Sequence, residues 1–348
     1  MKNSILYVCD VLNSTFGIAA RGTIYKDKLI KAGWNVRYIA KEKYPNGWQH
    51  LDDGNVEYIA TNDEIVEIAK QYQIVYFIKC VDAELVQRIK SETRCIIAYD
   101  VYDTIWNIYP NIGNSIFKNV DVFISEGRYL NKYITKYNKP IFNLNGVCIY
   151  DELLNVDKTE KSENKIVIGW LGSASTIGAV YSVMDPLSRI ARKHPEIEIR
   201  IIGANIDCEL FPKGQIKCVD KYDYNTMLAE LEKFDIGIFP PPKDSFDYEI
   251  RGPHKGVRYM GAKVATVFFA AGDCLEFVED GKNAMLYISE EEFEEKLTQL
   301  VEDKMLRCHI AVEGYKTVIE RYSLNSSFST LNIILKAILN MRFKRFLY

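Results

Sequence analysis

Short apolar runs, rich in β-branched residues, recur along the chain, and longer stretches with helical spacing separate them. Ile5–Val8, Asn35–Ile39, Ile74–Ile78, Cys95–Ala98, Val122–Ile124 and Ile141–Leu144 read as strands. Helical patterns such as Ala19–Ala32 and Asp63–Gln71 lie between several of them. This alternation predicts a parallel sheet covered by helices.

Asp151–Lys165 breaks the pattern, being charged and poor in large apolar side chains, as a linker or boundary is. After it the alternation restarts. Strand Ile166–Leu171 leads to a helix from Ser175 to Lys193 and then to strands Ile197–Ile202 and Ile216–Val219. Helix Tyr224–Phe234, strand Ile236–Phe239, helix Lys255–Ala262 and strand Val264–Phe269 follow. Helices over Glu290–Asp303, Leu306–Glu320 and a C-terminal piece close the chain. At 348 residues the chain exceeds the usual size of one core. We therefore expect an α/β protein of two domains, residues 1–155 and 164–330. Two doubly wound parallel sheets that face each other would hold ligand in a cleft at the carboxyl ends of their strands.

Composition narrows the classes. Apolar residues at 48% and charged residues at 26% are those of an ordinary globular protein. A net charge of −3 exerts no general pull on nucleic acid, so no nucleic-acid partner is expected and any anion site must be local. None of the eight cysteines forms a C-x-x-C pair or a Cys/His group with zinc spacing, so no metal site is expected. Reduced thiols and a cytoplasmic location are the plain reading. The apolar run at the N-terminus is too short for a signal peptide, and no stretch approaches the ~20 apolar residues of a spanning helix.

The candidate chemistry sits where strands end. Arg251-Gly-Pro-His-Lys255-Gly-Val-Arg258 crowds cations beside glycine and proline, after the strand at Ile236–Phe239. Arginine offers a planar fork and lysine a point charge, which suits a phosphorylated ligand. Gly172-Ser-Ala-Ser-Thr176 follows the strand Ile166–Leu171; Gly172 can bare its amide, and Ser173, Ser175 or Thr176 can cap a helix or bind a phosphate oxygen. Each segment also has a plainer reading, as a solvated basic loop and as a capped turn. Gly17, in the turn after the first strand, and Gly272, after Val264–Phe269, allow close backbone approach. Glu276 is placed to accept from hydroxyls, or it is a solvated carboxylate at a helix start. Asp100 and Asp103 end a strand in the first half, where they orient an acceptor, act as a base or cap a helix. No G-x-G-x-x-G or Walker A pattern follows a first strand, which argues against nicotinamide and P-loop enzymes.

Five segments in order, Gly169-Trp-Leu-Gly-Ser-x-Ser-Thr176, Arg200-Ile-Ile-Gly203, Phe234-Asp-Ile-Gly-Ile-Phe-Pro240, Lys255-x-x-x-Tyr-Met260 and Glu276-x-Val-Glu-Asp-Gly281, resemble the retaining GT-B glycosyltransferases of the GT4 type. The likeness spans roughly 165–320 and is looser before it. It implies the GT-B fold, a nucleotide-sugar donor on the second domain and a glycan, lipid-linked or other hydroxyl acceptor on the first. It further implies Lys255 on the donor diphosphate, Arg251 as a second cation and Gly172, Ser173 and Gly203 near the phosphates. Glu249 falls near the first glutamate of the family's E-x7-E element, whereas Arg258 stands where the second, ribose-binding glutamate belongs. No resident cofactor or obligatory metal is implied. Two alternatives stay open, a sugar-nucleotide epimerase on the same fold and a non-catalytic sugar-nucleotide-binding partner subunit, for which Arg258 is the motive.

The C-terminal stretch 331–348 alternates Leu, Ile and Phe with Lys336, Arg342, Lys344 and Arg345 and has no acidic residue. It is read as a helix returning to the first domain, with a basic end suited to peripheral contact with an anionic membrane.

Overall fold

The computed structural model describes residues 3–12, 21–43, 56–101, 110–147, 165–241 and 252–345. The chain divides into two compact units, Met1–Val147 with Leu324–Tyr348, and Cys148–Ser323.

The first unit is built on a seven-stranded sheet: β1 (Ser4–Leu12), β2 (Asn35–Lys43), β3 (Val56–Tyr58), β4 (Ile74–Ile78), β5 (Ile96–Val101), β6 (Val122–Ser125) and β7 (Ile141–Asn143). Its order is β3-β2-β1-β4-β5-β6-β7, and every pairing is parallel. β4 and β5 are buried along their whole length because helices cover both faces. Helices α1 (Lys26–Lys31), α2 (Asn62–Ala69), α3 (Ala83–Glu92), α4 (Pro110–Asn119) and α5 (Arg128–Ile134) make the crossovers. Ile65, Leu85, Ile116 and Ile134, from α2 to α5, pack on one face.

The second unit holds six parallel strands in the order β10-β9-β8-β11-β12-β13. These are β8 (Ile166–Leu171), β9 (Ile197–Ile202), β10 (Ile216–Val219), β11 (Ile236–Phe239), β12 (Ala265–Phe269) and β13 (Met285–Tyr287). Its helices are α6 (Gly178–Tyr181), α7 (Met184–Lys193), α8 (Tyr224–Lys233), α9 (His254–Gly261), α10 (Glu290–Glu302) and α11 (Lys304–Tyr322). Asp223, Ser289 and Asp303 cap α8, α10 and α11 through their side chains, which sets those starts in the sequence itself. The long helix expected from Ser175 to Lys193 is instead broken between α6 and α7. There Ser182 Oγ donates to Ala179 O at 2.8 Å and Pro241 O at 3.1 Å, so its hydroxyl serves a neighbouring loop. The pattern also misses β3 and β13, three-residue edge strands with too few positions to show a period.

The last helix, α12 (Leu324–Arg345), belongs to the first unit. Leu331, Ile334, Leu335, Ile338 and Leu339 recur at helical spacing and pack with Tyr25 and Leu29 against the face opposite α2–α5. Trp34 Nε1 donates to Asn332 Oδ1 at 3.0 Å, pinning the helix to the β2 entry. Among the described residues no helix is long and apolar enough to cross a membrane.

The described cysteines are free thiols. Burial pushes Cys9 up to about 12 and Cys274 up to about 11. At pH 8 iodoacetamide should therefore modify the exposed Cys308 in the folded protein and reach Cys9 and Cys274 only after unfolding. Modification of Cys9 at the rate of Cys308, read by peptide mass spectrometry, would contradict that burial.

Candidate functional site

In the second sheet the chain runs from β8 outward to β9 and β10, then returns to β11 and continues outward to β12 and β13. The order thus reverses between β8 and β11. At such a point the two connections diverge to opposite faces and leave a crevice at the strands' carboxyl ends. Several of the residues singled out in the sequence, Gly172, Ser173, Gly203, Lys255 and Arg258, lie at this edge.

β8 ends at Leu171 and passes the chain to Gly172 and Ser173. Ser173 and Thr176 form a reciprocal capping box, with Ser173 N–H donating to Thr176 Oγ1 at 3.2 Å. Lys255 arrives from the first turn of α9, the helix between β11 and β12. Its Nζ donates to the same Thr176 Oγ1 at 3.0 Å and lies 5.0 Å from the centre of the Trp170 ring. A methyl carbon on Gly172 would stand 2.1 Å from Trp170 Cη2 and 2.9 Å from Lys255 Nζ, so glycine there makes room for ring and ammonium. The expectation of a bare amide at Gly172 is corrected: that N–H donates to Ile202 O at 2.9 Å and extends the ladder with β9.

Gly203, just beyond β9, has φ +90°, and a Cβ on it would lie 2.0 Å from Gly172 O and 2.5 Å from Tyr222 Cε1. Both facts exclude a side chain. Gly203→Ala is expected to push the two turns apart, destabilising the protein by roughly 1–3 kcal/mol. An unchanged urea midpoint would show that this edge tolerates movement.

Arg258 lies one turn after Lys255 on α9 and is buried, at 7% exposure. Its charge reaches Tyr222: burial raises the Tyr222 phenol, and the positive charge of Arg258 works the other way. The next residue, Tyr259, is fully buried, and its hydroxyl accepts from Leu171 N–H at 2.7 Å. That bond ties α9 to the end of β8 and so sets the reach of Lys255. The first turn of α9 contains no acidic residue, and the helix's positive end adds to the ammonium charge. The edge is therefore built to attract an anion.

Gly272 opens the short helical turn Gly272–Glu276 after β12, two strands from β8. Glu276 is exposed, and its carbonyl accepts from Arg321 Nη1 at 3.2 Å. The structure thus joins Gly172, Ser173, Gly203, Lys255 and Arg258 through direct neighbours and sets Gly272 and Glu276 along the same edge. Glu249, Arg251, Gly17 and Asp103 lie outside the described residues. The roles of Trp170, Tyr222 and Tyr259 emerge only from the structure; a tyrosine three residues past β10 and another one turn past Lys255 are the signal that was present.

Asp100 is a correction. It lies on β5, 2% exposed, and both oxygens are engaged inside the first unit. Arg21 Nε donates to Oδ1 at 2.5 Å and Tyr76 Oη to Oδ2 at 2.5 Å. Arg21 Nη1 donates further to Leu144 O at 2.8 Å and Glu126 Oε1 at 3.3 Å. A strand-ending aspartate in the sequence is here the anchor of a buried ion network, since a buried carboxylate must be paired.

No protein-family profile matches the sequence, and no curated protein matches it. Solved structures do match along nearly its whole length. A glycosyltransferase from Rickettsia africae is 17% identical, with TM-score 0.71, over 97% of this chain and 99% of that one. Anabaena HepE in complex with UDP-glucose is 14% identical, with TM-score 0.72, over 96% and 99%. An alpha-glucosyltransferase in complex with UDP-glucose and DNA is 12% identical, with TM-score 0.69, over 96% and 99%. At this identity the likeness is one of fold: the chain has the two-domain, Rossmann-like GT-B fold, and its structural neighbours are glycosyltransferases.

Proposed function

We propose that the protein is a retaining glycosyltransferase of the GT4 type. It moves a sugar from a nucleoside-diphosphate sugar to a hydroxyl acceptor on a glycan or lipid carrier. The observation that carries this reading is Lys255, aimed by Thr176 and Trp170 at the carboxyl edge of β8. The UDP-glucose complexes of HepE and of the alpha-glucosyltransferase support a sugar-nucleotide donor.

In this mechanism the donor diphosphate lies against the turn Gly172–Thr176 and the first turn of α9. As the glycosidic bond breaks, the leaving diphosphate gains negative charge. A fixed ammonium stabilises that charge more than it stabilises the bound donor, which is what lowers the barrier. Arg258 supplies a second cation in the place of the family's ribose-binding glutamate. Arg258→Met is expected to weaken nucleotide binding about tenfold or more, the loss of one charged hydrogen bond. Unchanged affinity by calorimetry would return Arg258 to a structural role.

The test is a thermal-shift panel of UDP-, GDP-, ADP-, CMP- and dTDP-sugars, followed by detection of released nucleoside diphosphate. A donor that binds only the folded protein raises the melting temperature by mass action. No shift with any of them, together with no release, would remove the reading. Binding without release would favour a non-catalytic partner subunit. If the acceptor is lipid-linked, the basic residues Arg342, Lys344 and Arg345 suit an anionic bilayer, and vesicle sedimentation at low and high salt tests that contact.

A further inference from the structure

The second sheet parts where its order reverses. β8 and β11 are registered at Ile168 with Ile236 and at Gly169 with Gly237, and the ladder stops there, although β8 runs on to Leu171 and β11 to Phe239. On its other side β8 stays paired with β9 as far as Leu171 with Ile202. Gly172 N–H donates to Ile202 O, so the N–H of Leu171, one residue earlier, points the opposite way, toward β11. Leu171 is buried, and a buried amide that faces no strand needs another acceptor.

Tyr259 supplies it from α9. Its hydroxyl accepts from Leu171 N–H at 2.7 Å and donates over 3.5 Å to Leu171 O. The last rung is glycine on both strands, which admits the ring. A Cβ on Gly237 would stand 2.5 Å from Tyr259 Cδ2, and one on Gly169 would stand 2.0 Å from Phe234 Cε2. The Phe234 and Tyr259 rings cover that rung with their centres 6.0 Å apart. Burial pushes the phenol up, so the hydroxyl keeps its proton. Lys255 and Tyr259 are four residues apart on α9 and share one face of it. The face that enters between the strands thus also carries the ammonium to Thr176 and Trp170.

We propose that Tyr259 is a positioning residue for Lys255: its hydroxyl takes the place of β11 at the end of β8, keeps the two strands apart at the reversal point and so fixes where the ammonium stands. What this placing does for transfer rests on Lys255 as the ligand of the donor diphosphate. The placing itself is a property of the protein without donor, and it is measured that way first.

The full chain is labelled with trace acetic anhydride, and acetylation of Lys255 is read by peptide mass spectrometry against the exposed Lys304. Tyr259→Phe removes one hydroxyl and keeps the ring. It is expected to raise Lys255 acetylation several-fold, with Lys304 unchanged, as the ammonium leaves Thr176. In sugar transfer the same variant should lower kcat by about 10–10²-fold, the effect of a small misplacement. It should add nothing to the loss in Lys255→Ala, because a residue that acts through Lys255 then has nothing left to position. A tyrosine that only stabilises the fold would leave the labelling ratio unchanged and make the two losses additive, and either result overturns the proposal. If no donor supports transfer, the proposed reaction falls, while the labelling ratio still decides the role of Tyr259. Should Tyr259→Phe not fold, hydrogen exchange in the unmutated protein decides. The Leu171 amide is expected to exchange as slowly as that of Trp170, and exchange at the rate of the exposed Ala174 amide overturns the proposal.

Discussion

Lys255→Ala is expected to lower sugar transfer by about 10²–10³-fold while leaving the folded protein nearly as stable. The size of the first effect follows from where charge develops. Lys255 Nζ is held by Thr176 Oγ1 and the Trp170 ring at the carboxyl edge of β8. There a departing diphosphate would meet it without any side chain having to reorganise. The smallness of the second follows from the same geometry: a cation in the first turn of a helix opposes the helix dipole, so its removal relieves repulsion. Transfer rate and melting temperature measured on the same preparation separate the two. A variant that loses stability in proportion to activity would make Lys255 a structural residue, and one with unimpaired transfer would remove it from the site. Thr176→Val tests the aim rather than the charge. It should lower the transfer rate less than Lys255→Ala does, because the ammonium remains but loses its hydroxyl acceptor.

Arg21→Met is expected to destabilise the protein by about 3–5 kcal/mol. Arg21 is fully buried, with Asp100 at 2.5 Å and Glu126 at 3.3 Å. Burial works against its charge, but the two carboxylates outweigh it, so the guanidinium is held charged more firmly than in water. Without it, Asp100 and Glu126 remain in the interior with one hydrogen-bond donor set removed. The large figure is the cost of two buried carboxylates without their counter-charge, not the net worth of the network. Replacing Arg21, Asp100 and Glu126 together by apolar residues of similar volume should therefore recover most of the loss. Urea midpoints for the single and triple variants decide this. A triple variant as unstable as Arg21→Met would mean that the network itself, and not its imbalance, sustains the first unit.

The strands at the centre of each sheet are legible because both their faces are buried. β4 and β8 are unbroken apolar runs that polar sequence bounds on either side. Helix starts at Asp223, Ser289 and Asp303 are equally legible, because the capping side chain bonds its own next turn. Short edge strands and the break at Ser182 are not. Three residues carry no period, and Ser182 leaves the helix for Pro241, a partner far along the chain.

The same division holds for the site. Local chemistry by itself determined that cations, hydroxyls and glycines stand where strands end, at Gly172, Gly203 and Lys255, since those residue types are demanded by turns and anions whatever lies around them. Only the tertiary structure decided what each one does. Gly172 and Gly203 are glycine because Trp170 folds back on the turn and Lys255 and Tyr222 crowd it from other parts of the chain, and the amide of Gly172 is bound to Ile202. Asp100 and Lys255 look alike in sequence, as charged residues near the end of a strand or the start of a helix. The fold surrounds Asp100 with Arg21 and Tyr76 and leaves Lys255 only half-buried at the reversal point of a sheet. A residue's charge is written in its side chain. Whether that charge is neutralised inside or offered to a ligand depends on neighbours that the chain brings in from far along the sequence, 79 residues away for Arg21 with Asp100 and for Lys255 with Thr176.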